Sequence, residues 1–451
     1  MKDQAKTKNG MIEGVIWQQL FLFFIPIFIG TFFQQLYNTV DSVIVGQFAG
    51  KEALSSVGGS SSQIINLIVG FFTGLSSGCS VVIAQFFGAG EERGLHRSLH
   101  TAYAFSLTGG IGFGLMGILG TPFMLRLLNT PEALLASSTL YMRVYFCGLL
   151  FVFVYNMGSA VLRATGDSKR PLFYLMVCCV VNIILDLTFV LALRLSVFGV
   201  ALATLISQGL SAAMVTLHFI RQTGPLKLTP AKIRFYPETL KKMLLLGLPS
   251  GFQSTMYSVS NMTVQRALNG FGVDTMAAWT ALGKIDSFFW MINNAMGVTT
   301  VTFIGQNYGA GRRDRIRRGC FTALVMEFCL GGALSLLILG FGGYMYRIFT
   351  GDPAVIAIGM EMIRVISPLY AAFAFIEIFS ATLRAQGHVF GPTVIIMVGV
   401  CLLRIVWVTF FAAGKAVADV VFCYPLTWIV TGIIMTLYYF PMQRRINRQV
   451  S

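Results

Sequence analysis

Polar positions interrupt this chain at short intervals, and between them lie twelve apolar segments, each near or above the roughly 20 residues that cross a bilayer. They run over residues 16–47, 54–87, 96–120, 134–160, 171–193, 197–220, 240–268, 276–306, 319–341, 354–382, 392–413 and 417–440. The pattern predicts helices throughout. The second six segments repeat the first. Gln85-Phe86-Phe87-Gly88-Ala89-Gly90 returns as Gln306-Asn307-Tyr308-Gly309-Ala310-Gly311, and Leu162-Arg163-Ala164-Thr165-Gly166 with Pro171 returns as Leu383-Arg384-Ala385-Gln386-Gly387 with Pro392. The offset stays between 221 and 223, as Arg126 with Arg347 and Pro131 with Pro353 also show. A duplication inside a hydrophobic chain is the pattern of a secondary transporter whose site lies between the repeats. Six segments per half is an even number, so both halves enter the membrane from the same side. The expected fold is all-α and integral to the membrane: twelve transmembrane helices in two six-helix bundles, related by a pseudo-two-fold axis along the membrane normal. The expected domains are an N-terminal lobe at 1–225, a cytoplasmic linker at 226–238 and a C-terminal lobe at 239–451.

Composition supports lipid as the solvent. Charged residues are 11% of the chain and hydrophobic residues 55%, with mean hydropathy +0.73; a soluble domain carries about 25% charge. The net charge of +15 belongs to short loops and reads as a topology signal, with no basic-aromatic module for nucleic acid. With both termini cytoplasmic, inner segments hold 23 of the 33 Lys and Arg and outer loops 6, which sets the orientation. The linker, with Arg221, Lys227, Lys232, Arg234, Lys241, Lys242 and three prolines, reads as a solvated connector near anionic head groups. Eight scattered cysteines and four histidines give neither a disulfide framework nor a metal motif.

Ionisable groups at membrane depth are expensive and are functional candidates. On the first segment Gln34, Tyr37, Asn38 and Asp41 follow i, i+3, i+4, i+7 spacing, one helix face. Asp186 lies one turn beyond Asn182 on the fifth segment, and Thr204 lies early in the sixth. Counting residues from the outer ends puts Asp41, Asp186 and Thr204 all about 10 Å below the outer surface at about 1.5 Å per residue. Two carboxylates, a carboxamide and a hydroxyl at one depth suit a shared proton, or a sodium ion held by Asp41, Asp186, Asn182 and Thr204. Segment 1 is too long for a bilayer core, so it must tilt, protrude or bend, and Pro26 marks where.

Those residues carry a resemblance. The layout of twelve spans, Pro26 and Tyr37-Asn38-Thr39-Val40-Asp41 on span 1, Leu162-Arg163-Ala164-Thr165-Gly166-Asp167 after span 4, and Asn182 with Asp186 on span 5 resemble the multidrug and toxic compound extrusion (MATE) family. The likeness spans essentially the whole chain and is nearest to prokaryotic members that keep their coupling acids in the N-terminal lobe. It implies Asp41 as the proton- or sodium-coupling residue, Asp186, Asn182, Tyr37 and Thr204 as its partners, and Pro26 as a bending proline. Some relatives place essential acids on spans 7 and 10; here Pro249–Leu268 on span 7 has no carboxylate.

In the second half, Glu377 on span 10 and Arg404 on span 11 are spaced for an inter-helix ion pair, or else line a cavity together with Lys284 on span 8. Gly74-Leu75-Ser76-Ser77-Gly78 fits G-x-S-x-G inside a span, without the strand–turn–helix context that chemistry needs. Gly110 and Gly114 fit a close helix contact. No G-x-x-x-x-G-K-[ST] loop is present. The expected protein is therefore not an enzyme and needs no cofactor. It is a monomeric antiporter of a bacterial or archaeal cytoplasmic membrane that exports amphipathic or cationic drugs by alternating access, driven by a proton or sodium gradient. The alternative is a flippase of the same superfamily, for which Arg404 and Lys284 would meet a lipid-linked pyrophosphate.

Overall fold

The computed structural model describes residues 11–128, 130–412 and 415–449; the N-terminal Lys2, Lys6 and Lys8 counted for orientation lie outside them. Twelve long helical stretches follow in chain order. The first six are α1 Ile16–Phe48, α2 Ser55–Ala89, α3 Glu92–Leu127, α4 Glu132–Ala164, α5 Lys169–Ala192 and α6 Ser196–Arg221. The second six are α7 Pro237–Asn269, α8 Val273–Gly309, α9 Arg313–Phe349, α10 Pro353–Ala385, α11 Phe390–Phe411 and α12 Val417–Arg448. Ten of them combine the length and hydropathy of a membrane span. The other two, α7 and α8, are as long but more polar: α7 carries Gln253, Asn261 and Gln265, and α8 carries Lys284, Asp286, Asn293 and Asn294.

The duplication is visible in backbone hydrogen bonds. After α4, Gly166 N–H donates to Arg163 O and Asp167 N–H to Leu162 O, both at 2.9 Å; after α10, Gly387 and His388 do the same to Arg384 and Leu383, again at 2.9 Å. Gly166 (φ 92°) and Gly387 (φ 89°) take the left-handed conformation that ends a helix this way, which a Cβ would strain. The α2–α3 and α8–α9 turns match likewise, with Glu91 N–H on Phe86 O and Arg312 N–H on Asn307 O.

Packing divides the chain differently from the lobes 1–225 and 239–451. One compact unit, the N-unit, is Ile25–Gly251; the other, the C-unit, joins the residues up to Phe24 to those from Phe252 onward. Both repeat-leading helices are therefore split, α1 beside Pro26 and α7 beside Pro249. Duplication marks where a repeat starts, whereas packing follows the first turns of each leading helix. In the C-unit, Met11 N–H donates to Gln306 Oε1 (3.0 Å), Asn307 Nδ2 donates to Met11 O (3.0 Å), and Arg315 donates to Gly14 O (2.9 Å) and Gln19 Oε1 (2.9 Å). The start of α1 is thereby clipped to the α8–α9 turn. In the N-unit, Lys242 near the start of α7 sits 5.6 Å from the ring centre of Phe86 at the α2–α3 turn.

Glycines set the closest approaches. An added Cβ on Gly74 would lie 2.6 Å from the backbone of Gly251, and one on Gly78 would enter the backbone of Gly247. The G-x-S-x-G match is thus a seam between α2 and α7, with no room for a substrate. Gly110 brings α3 against Leu150 and Gly114 against Phe146 on α4, the close contact that their spacing predicts. Between the repeats, Leu228 is buried, Thr229 N–H donates to His100 Nε2 (3.1 Å) and Tyr236 N–H to Thr101 Oγ1 (3.3 Å). The connector expected to be solvated is strapped onto α3.

Candidate ion-coupling site

Helices α1, α5 and α6 bring the five sequence-expected residues of the N-unit together. Asn182 and Asp186 are fully buried, one turn apart on α5. Tyr37 Oη and Thr204 Oγ1 are 3.3 Å apart, which ties α1 to α6. The Asn182 carboxamide, turned so that its nitrogen rather than its oxygen faces the acids, donates to Asp41 Oδ1 at 2.9 Å and to Asp186 Oδ2 at 3.0 Å. Asp41 also lies within electrostatic reach of Asp186 and Tyr37. Like charges this close disfavour double ionisation, so a proton on one acid stabilises the pair. Asp186 Oδ1 is buried with no partner, an acceptor left over inside an apolar lobe. The cluster therefore offers acceptors to a small cation, and its own donors are neutral.

Two members of the expected stripe do not join: Gln34 and Asn38 are exposed, while Tyr37 and Asp41 turn inward. An i, i+3, i+4, i+7 row spans a wide arc, and only its inner edge meets α5 and α6. Sequence reasoning missed Tyr141 on α4, which is buried and within electrostatic reach of both Asp41 and Asp186. A tyrosine inside a span needs a polar neighbour, and that was the available signal. Pro26 is buried inside the unbroken helix Ile16–Ile44, beside the unit boundary.

The C-unit corrects the expected ion pair. Glu377 pairs with Arg384 on its own helix, Nη2 to Oε1 at 3.0 Å, and Arg404 does not reach it. Seven residues along one helix let the long arginine fold back on Glu377. Arg404 Nη1 instead donates to Asn261 Oδ1 at 2.9 Å, and its guanidinium lies 4.1 Å from the ring centre of Tyr424. Lys284 is exposed. Two further acids lie inside the C-unit, and sequence reasoning missed Glu327. Asp286 accepts from Tyr370 Oη at 2.5 Å and Trp290 Nε1 at 2.6 Å. Glu327 on α9 is 3% exposed, has no hydrogen-bond partner on either oxygen, and lies within electrostatic reach of Glu377. No group of three or more His, Cys, Asp or Glu among the described residues is arranged to hold a metal ion.

A family model described as MatE matches twice, over residues 26–188 and 249–410, together more than half of the chain. The chain belongs to the MatE family. Members of this multidrug and toxic compound extrusion family are multi-pass membrane transporters and not enzymes. The chain is similar to a Bacillus subtilis (strain 168) protein named "Probable multidrug resistance protein YpnP", 28% identical over 430 residues and covering 95% of each chain. Among solved structures it resembles a MATE protein in a bent conformation (TM-score 0.91, 20% identity) and one in a straight conformation (TM-score 0.88, 21% identity). In each case 97% of this chain and 98% of that one are covered. The two matched stretches of the MatE family begin at Pro26 and Pro249, beside the points where the two units divide α1 and α7.

Proposed function

We propose that this MATE transporter exports amphipathic, mainly cationic compounds from the cytoplasm, driven by inward movement of protons or sodium ions through the Asp41–Asn182–Asp186 cluster. The observation that carries the reading is the Asn182 amide bridging the two acids. Relatives named for multidrug resistance supply the substrate class.

An entering proton neutralises the pair and releases Asn182 from one of its two hydrogen bonds. A sodium ion has four oxygens to draw on: Asp41, Asp186, the Asn182 carbonyl after its amide turns over, and Thr204. Either event removes negative charge beside Tyr37 and α1, which disfavours a bound cation and favours its release. Pro26 lies fifteen residues before Asp41, nearer the cytoplasm on the same helix, where the i→i−4 bond it cannot donate leaves α1 free to bend. One charge crossing 100 mV is worth about 2.3 kcal/mol, enough to bias a two-state equilibrium nearly fifty-fold. The protein works as a monomer in the cytoplasmic membrane with both termini cytoplasmic, and needs no bound cofactor.

The test is efflux of a fluorescent lipophilic cation from vesicles under imposed proton or sodium gradients. Asp41→Asn should abolish gradient-driven export while the protein still inserts and folds. Wild-type transport by Asp41→Asn would move the coupling site to Glu327 and Glu377.

A further inference from the structure

The C-unit holds an arginine with one hydrogen-bonding edge that its own residues do not fill. Arg404 is 1% exposed, and while Nη1 bonds Asn261, both Nε and Nη2 are buried without a partner. These two nitrogens form one edge of the guanidinium, whose parallel N–H bonds match the paired oxygens of a carboxylate or phosphate. Asp286 lies within electrostatic reach of Arg404 but does not fill that edge, because its oxygens are taken by Tyr370 and Trp290 and no ion pair joins the two within the described residues.

Two independent features point at the same place. Trp428 packs on Tyr424 (ring centres 5.8 Å), the ring that Arg404 covers, and its Nε1 is another buried donor without a partner. Trp428 also lines an apolar cleft of about 320 Å³ between α10 and α12, with Ala372, Phe375, Ile429, Gly432 and Ile433. The backbone around Arg404 is irregular as well. A π-helical turn at Met397–Leu402 precedes the four-residue segment Leu403–Val406 that carries it. The repeat-equivalent stretch of α5 is regular helix over Lys169–Leu187, whereas the later π turn at Trp407–Phe411 has its counterpart at Thr188–Ala192. The extra turn is particular to the helix that presents the arginine, and such insertions concentrate at functional sites.

We propose that the C-unit binds an amphipathic oxyanion, its carboxylate or phosphate head held on the Nε–Nη2 edge of Arg404 and its apolar body in the cleft beside Trp428. This goes beyond cation export and does not rest on the coupling role of Asp41. The head takes up the open edge of Arg404, Trp428 Nε1 gives it a further donor, and α11 yields at its π turns to admit it.

Calorimetry on the full chain in phosphatidylcholine nanodiscs tests this with three probes: decyl phosphate, decanoate and decyltrimethylammonium. Decyl phosphate and decanoate should bind saturably. Arg404→Gln and Arg404→Lys should each weaken them at least about tenfold, since an ammonium cannot make the two-pronged contact. Trp428→Phe, which keeps the ring packing, should weaken them about threefold to tenfold through loss of one hydrogen bond. Decyltrimethylammonium should be unaffected by any of the three. Competition by phosphatidylglycerol discs would identify a lipid head group as the occupant, and its absence a soluble amphiphile; both outcomes support the site. Equal binding of anionic and cationic probes, or anion binding unchanged in both Arg404→Gln and Trp428→Phe, overturns the proposal. Failure of cation efflux in Asp41→Asn leaves it standing.

Discussion

The interiors of the two units began as copies and now carry different charged groups on one equivalent helix. In the N-unit, α5 supplies Asn182 and Asp186 to an acid pair bridged by the Asn182 amide. In the C-unit the equivalent helix, α11, supplies Arg404, one residue past the counterpart of Asn182 at the 221-residue offset. The frame survived the duplication, as the matching hydrogen bonds at Gly166 and Gly387 show. What diverged is the lining. A backbone turn depends on one or two residues and on local geometry, so it tolerates little drift. A buried polar cluster can change sign once helices are fixed around it, provided each buried charge finds an answer.

The sharpest way to break this contrast is to remove one charge from each unit. Asp186→Asn should cut gradient-driven efflux of a lipophilic cation about tenfold or more, the scale of losing one charge-assisted interaction. Arg404→Gln should leave the same efflux within about twofold, as expected of a change outside the coupled pair. Equal losses in the two variants would mean that both units share a single coupling network.

Next in size is a stability difference. Gly78→Leu pushes a side chain into the backbone of Gly247 and should cost about 1–3 kcal/mol or more, read as a fall in Tm in detergent. Gly340→Leu on α9, where an added Cβ meets nothing within 4 Å, should leave Tm unchanged. Comparable Tm values for the two would show that the α2–α7 seam is not tight.

Smaller effects separate the hydroxyls. Tyr370→Phe strips one of the two donors from Asp286 and should cost about 1–3 kcal/mol as a buried acceptor loses its partner. Tyr37→Phe breaks a longer, partly buried bond to Thr204 and should cost about 0.5–1.5 kcal/mol. The reverse order in chemical denaturation would mean that the N-unit cluster is the more tightly held. Smallest of all, cysteines at Thr165 and Gln386 should leave transport intact and react with an impermeant thiol reagent only from the cytoplasmic side. Labelling at opposite faces would contradict parallel repeats.

Much of this was legible in the sequence, and the failures have physical reasons. Span number and duplication come from hydropathy and from short turn motifs, which are local properties. Asp41, Asn182, Asp186, Tyr37 and Thr204 could be placed at one depth because rise per residue is fixed in a helix. Rotation about the helix axis is not fixed by depth. That is why Gln34 and Asn38 were grouped with the site but face outward, and why Tyr141 was missed. Partner choice was harder still. Glu377 met Arg384 along its own helix instead of Arg404 across the bundle, because both arginines are long enough and only side-chain packing decides. The main partner of Asp286 was not readable either, since Tyr370 lies 84 residues away and only packing brings it near.

The seam at Gly74 and Gly78 carries a consequence for ancestry. The first turns of α7 belong to the second copy in sequence, yet they lie backbone against backbone on α2 of the first. An ancestral half-length protein would have had to meet that surface with another chain. Once the copies were fused, glycines on both faces removed the slack that allows subunits to part. Splitting the gene at residue 225 would leave the first product with an uncovered strip of α2, and rejoining the halves would require each to find a groove with no side-chain tolerance. Fusion here is an evolutionary ratchet.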